Sequence, residues 1–175
     1  MADGVSPLLK AQYAMDEDLV AALLAEGPEL DAHEAAAVGD VERLRELVDS
    51  RPELVDAVAS DGFQPLHLAA FFRRPEAVRL LLERGADANA VAANDTRVAP
   101  LHSAAAGGDH ESVRLLLDAG ADPNSRQRGG FAPLHAAAAA GDRELVELLI
   151  ESGAHRAAET DDGRTPDDLA RERAP

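Results

Sequence analysis

Histidines at 67, 102 and 135 recur in one local setting, Pro65-Leu66-His67, Pro100-Leu101-His102 and Pro133-Leu134-His135, each opening a run rich in alanine. Aligned imidazoles are what a zinc site would need, but their steps of 35 and 33 residues place them in successive structural units. Equivalent atoms of stacked helical units lie roughly 10 Å apart, whereas zinc ligands sit within about 2.3 Å of one ion. These histidines cannot share a metal, and each is expected instead to tie a first helix to the backbone of an adjoining turn. His110 and His155 fall on isolated surface positions and carry no expected role. Absent cysteine removes thiolate ligands, disulfides and thiol nucleophiles. Ser60 and Ser103 have no base in register, and no glycine-rich phosphate loop follows a strand. The acidic doublets Asp161-Asp162 and Asp167-Asp168 suit a turn and the positive end of a short helix better than paired-carboxylate chemistry. No catalytic residue, metal or cofactor is therefore expected.

What positions these histidines is a repeating unit. A second landmark, Gly85-Ala86, Gly120-Ala121 and Gly153-Ala154, keeps nearly the same period. In residues 95–128, Pro100 suits a first helical turn, and Leu101, Ala104 and Ala105 give a short helix with a small apolar face. Gly107-Gly108 ends it. Val113, Leu116 and Leu117 then share the buried face of a second helix that stops at Gly120. The polar stretch 122–130 reads as a reversing turn.

Helix, tight turn, helix and projecting turn in about 33 residues resembles the ankyrin-repeat family. The resemblance rests on Pro-Leu-His-x-Ala-Ala, on the glycines at 39, 108 and 141, on the leucine-rich second helices, and on Gly85-Ala86-Asp87 and Gly120-Ala121-Asp122. It implies an all-α fold, an α-solenoid of stacked helix-turn-helix repeats with projecting β-turn or hairpin loops. Register then divides one domain, 1–175, into an N-terminal cap at 1–29, units at 30–60, 61–94, 95–128 and 129–160, and a C-terminal cap at 161–175. The junction between the first two has no room for a projecting turn.

Departures from the family pattern carry expectations of their own. Arg73 and Met15 stand where a glycine with positive φ is usual, predicting strained turns that cost on the order of 1 kcal/mol. Gln64, Ala99 and Ala132 replace the threonine that usually bonds the repeat histidine. Two extra residues around 91–93 make the turn before Pro100 the furthest projecting.

The four phenylalanines, Phe63, Phe71, Phe72 and Phe131, fall at positions that the repeat does not need for its core. The resemblance implies that these positions, with Val98 as a counterpart, lie on a concave face that varies with the partner. Arg97, Arg126 and Arg128 occupy the neighbouring turns. Aromatic and arginine side chains on one exposed face have the composition of interaction hot spots. The expected function is thus a non-catalytic protein–protein interaction module. Phe71 and Phe72 would anchor a partner protein at units three to five, and Arg97 would select an acidic or phosphorylated feature. Phe72→Ala or Arg97→Glu is then expected to abolish capture without loss of thermal stability.

Charge and composition bound the alternatives. The net charge is −16, with 14 acidic and 4 basic residues in 1–60, 9 and 8 in 61–128, and 10 and 5 in 129–175. Such a surface argues against nucleic acid as a partner, and it leaves the middle of the chain nearly neutral. An acidic inhibitor or antitoxin-like protein that blocks a basic enzyme is the alternative reading. The chain carries no leader-like N-terminus and no apolar span, so a cytoplasmic, membrane-free protein is expected, monomeric unless the phenylalanines pair two copies. Arginine supplies 16 of the 17 basic residues, a bias that suggests a GC-rich, bacterial-type source.

Overall fold

Proline and aspartate divide the work of starting helices in this chain. The computed structural model describes residues 4–172; Met1, Ala2 and Asp3 of the N-terminus, and residues 173–175 of the C-terminal cap, lie outside the described residues. Eleven α-helices follow one another, ten of them as antiparallel pairs: α1 (Pro7–Tyr13) with α2 (Glu17–Ala25), α3 (Ala32–Val38) with α4 (Val41–Ser50), α5 (Pro65–Phe71) with α6 (Pro75–Glu83), α7 (Pro100–Gly107) with α8 (His110–Asp118), and α9 (Pro133–Ala140) with α10 (Arg143–Glu151). Helix α11 (Pro166–Glu172) packs on α9.

The helices α1, α5, α6, α7, α9 and α11 begin at proline, whose missing N–H leaves nothing unsatisfied there and whose φ is already helical. Asp16, Asp31, Asp40, Asp109 and Asp142 instead cap α2, α3, α4, α8 and α10, each carboxylate accepting a backbone N–H of the first turn.

The first helices α3, α5, α7 and α9 stack side by side through alanine. Ala35, Ala36, Ala69, Ala70, Ala104, Ala105 and Ala137 are wholly buried, and their small size lets the neighbouring helices approach closely. The second helices contribute the bulk, with Leu44, Leu81, Leu116, Leu145 and Leu149 fully buried. One apolar core thus runs from Leu8 to Ala154. The exception is α2, which has no buried residue and leaves Leu19 45% exposed; Met15, in the turn before it, is 63% exposed.

The tight turn within a pair needs a left-handed residue. Gly39, Gly108 and Gly141 supply it in three pairs, at φ of 82°, 69° and 70°. Met15 and Arg73 hold the same conformation at 54° and 59°, as expected from sequence, and an L-residue there costs about 1–2 kcal/mol. Arg97 joins them at 54°, which the sequence did not signal.

The projecting turns contain no β-strand among the described residues. The outermost main-chain bond of each joins its two arms: Ala59 N–H to Phe63 O, Ala92 N–H to Val98 O, Gln127 N–H to Phe131 O and Thr160 N–H to Arg164 O. The second encloses residues 93–97, the others three residues apiece, so the two extra residues do lengthen that turn. The tips are laced together by Ala93 N–H to Gly62 O, Arg128 N–H to Thr96 O and Asp161 N–H to Gly129 O. At the turn bases, Asn89 donates to Gly120 O and accepts from Asp122 N–H; Asn124 repeats this with Gly153 O and His155 N–H. Each asparagine clips its own unit to the next.

Candidate functional site

The proline-linked histidines are occupied at both ring nitrogens. Nδ1 of His67, His102 and His135 accepts the backbone N–H three residues earlier, from Gln64, Ala99 and Ala132 at 3.4, 3.1 and 3.0 Å. The ring thus satisfies the backbone N–H of the residue before each proline, a bond that needs no threonine hydroxyl. With Nδ1 accepting, Nε2 carries the proton and donates it to the next turn: His67 to Val98 O, His102 to Phe131 O and His135 to Ala158 O, each at 3.1 Å. His33 reaches Ala57 O in the same way. Burial pushes the His67 and His102 imidazoles below their ordinary range, outweighing the carbonyl acceptors that favour the proton. These rings are structural ties between a first helix and the following turn.

His67 and His102 grip the carbonyls of Val98 and Phe131, and the side chains of those two residues line one groove with Phe63. The Phe63 ring lies 5.9 Å from the His67 ring and the Phe131 ring 5.7 Å from that of His135. Phe71, at the end of α5, stands on the same surface. Together with Tyr13 they wall a groove of about 400 Å³, whose floor is set low by Ser103, Ala106 and Ala136. Phe63, Phe71, Val98 and Phe131 are half-buried, so their rings are held in place yet keep an open face.

Phe72 does not join them. It is 7% exposed and packs with Leu9, Ala37 and Leu68, its ring 5.6 Å from Tyr13 and 5.1 Å from Phe71. The expected exposed anchor is a core residue, because Leu9 and Tyr13 of α1 and Ala37 of α3 close over it. Sequence spacing could not show that coverage.

The arginines divide as well. Arg126 is held by Asp161 at 3.0 Å. Arg97 and Arg128 are exposed, on adjoining turn tips joined by the Arg128 N–H to Thr96 O bond, and neither guanidinium has a carboxylate or carbonyl partner among the described residues. Arg73 is likewise exposed and has none among them.

Several contributors escaped sequence reading. Tyr13, the single tyrosine, walls the groove and donates to Asp61 at 2.8 Å; burial first, and that bond second, raise its hydroxyl well above the ordinary range. Arg164 lies over the Phe131 ring at 5.7 Å. His110 is not isolated: it meets Asp142 at 2.7 Å, and that hydrogen bond raises its imidazole despite some burial. The pattern Gly-Ala-Asp-x-Asn, shared by 85–89 and 120–124, was the available signal for the asparagine clips.

Three overlapping stretches, 2–92, 32–127 and 101–171, match the family model described as ankyrin repeats (3 copies). The chain belongs to the ankyrin-repeat family. Among curated proteins it is 34% identical over 96 residues to the ankyrin repeat protein FPV240 of fowlpox virus, covering 50% of this chain and 23% of the relative. It is 40% identical over 73 residues to the human DNA-binding protein RFXANK, covering 42% and 28%. To the rice BTB/POZ domain and ankyrin repeat-containing protein NPR3 it is 39% identical over 82 residues, covering 44% and 14%. The chain therefore spans less than a third of the length of each of these relatives. Ankyrin repeats are in general non-catalytic protein–protein interaction modules, and none of the described helices is long and apolar enough to cross a membrane.

Proposed function

We propose that this ankyrin array binds a partner protein on its concave face, through the groove walled by Phe63, Phe71, Val98 and Phe131. The observation that carries this reading is the groove itself, three aromatic rings held half-open around a floor of small residues. Rigid aromatic walls offer contact area at little entropic cost, which is how interface anchors work. The larger core runs through the stacked helices, while Phe63 and Phe71 pack on the smaller cluster of Leu9, Ala37, Leu68 and Phe72, which holds these groove walls in place.

Ala106 is exposed on the groove floor, so Ala106→Glu fills the groove with a charge without touching the core. Capture of partner proteins from an extract of the source organism, identified by mass spectrometry, should be lost with Ala106→Glu and kept with Arg79→Glu on the outer helix α6. The reverse pattern would move the binding surface to the convex side.

A further inference from the structure

We infer that the segment gripped by the groove is an acidic one, carrying a bulky apolar residue for the pocket and carboxylates for Arg97 and Arg128. This rests on the concave-face reading and narrows it to one class of partner. The apolar half follows from the groove walls. The acidic half follows from what surrounds them.

Arg97 and Arg128 are chain neighbours of the groove-lining residues Thr96, Val98 and Gln127, on turn tips joined by the Arg128 N–H to Thr96 O bond. Arginines close by are already engaged: Arg126 with Asp161, Arg164 with Asp162, and Arg74 with the Ala37 carbonyl. Several nearby carboxylates are already engaged. Asp61 accepts from the Tyr13 hydroxyl and the Phe63 N–H, Asp161 holds Arg126, and Asp16 caps α2. Asp95 and Glu17 are exposed and have no such partner among the described residues. Two guanidiniums without partners, beside an apolar pocket, match a carboxylate ligand, to which a guanidinium can donate two parallel bonds.

Backbone conformation points the same way. Of the non-glycine residues at positive φ, Arg73 and Arg97 are both exposed arginines with no carboxylate partner among the described residues. Arg73 borders a second depression, which shares Phe71 and Ala106 with the groove and so continues it towards α2. A glycine would relieve each strained position, and Gly108 and Gly141 show that the fold accepts one at the Arg73 site. Strain kept in exchange for an exposed side chain is a mark of contact rather than of packing. The acidic ends of the chain repel an acidic segment and the near-neutral middle does not, which confines it to this register.

The test pans a random linear peptide library on the whole chain, then measures selected peptides, fluorescein-labelled, by anisotropy. Selected sequences should pair a bulky apolar residue with Asp or Glu. Ala106→Glu and the double variant R97E/R128E should each weaken binding about tenfold or more, as loss of interface hot spots does. R73G should weaken it without lowering the melting temperature. Selection of basic or uncharged sequences overturns the inference, as does failure to select any, or affinity unmoved by R97E/R128E. Uncharged peptides that still lose affinity with Ala106→Glu overturn the acidic class and leave the concave-face reading standing. Peptides insensitive to Ala106→Glu overturn both.

Discussion

Arg73 holds a left-handed backbone that glycine would hold without strain, and two opposed effects set the result of replacing it. Relief of strain gains about 1–2 kcal/mol, while the greater freedom of glycine in the unfolded chain costs about 0.4–1 kcal/mol. Arg73→Gly should therefore raise stability by roughly 0.5–1 kcal/mol in chemical denaturation, and a loss would show that the side chain packs. Phe72→Ala should go the other way, losing roughly 3–5 kcal/mol as a core deletion, whereas a surface anchor would leave the midpoint where it was. The histidines give a test of sign. His67 and His102 resist protonation when folded, so their contribution is complete above the ordinary value of 6.5 and is lost as pH falls below it. His110 is favoured in its charged form by Asp142; its contribution is complete below that value and is lost as pH rises through its raised folded value. Between about pH 7.5 and about pH 5.5, His110→Gln should lose more stability on acidification than the parent, and His102→Gln less. The opposite order in urea titrations would contradict the assignment.

The helices and turns are held in register by a few polar side chains that each reach into the next unit. Asn124 makes two such bonds, so Asn124→Ala should cost about 1–2 kcal/mol and speed hydrogen exchange at the His155 amide. Asn124→Asp keeps the acceptor for that amide and should protect it more than alanine does. At this scale the sequence was a good guide wherever one residue determines one local conformation. Pro100 and Pro133 mark helix starts, Gly108 and Gly141 mark tight turns, and the positive φ at Arg73 and Met15 follows from register alone. It was a poor guide wherever two elements must meet. Phe71 and Phe72 are neighbours of one type, and only the approach of Leu9 from α1 and Ala37 from α3 decides that one lines the groove while the other is buried. The groove residues Phe63, Val98 and Phe131 stood out because they break the repeat; Tyr13 and Arg164 could not, because nothing local says that they face it. The strain at Arg97 depends on how the longer turn folds back onto Val98, which no single residue dictates.

Across the whole molecule stability is uneven. The central pairs bury leucines on both helices, but α2 buries none and touches the core only through half-buried Val20, Leu23 and Leu24. Hydrogen exchange should therefore find α2 opening first, at a free energy well below that of α7 and α8. Equal protection along the chain would mean that the stack unfolds as one unit. The bonds that join neighbours have a further consequence. His67 and His102, like Asn89 and Asn124, donate to main-chain oxygens of the following unit rather than to its side chains. Every residue has such an oxygen, so the joint makes no demand on what sequence comes next. A gene segment encoding one unit could be copied or moved within the array and still find its acceptors waiting, so length can change by duplication while the inner surface diverges freely.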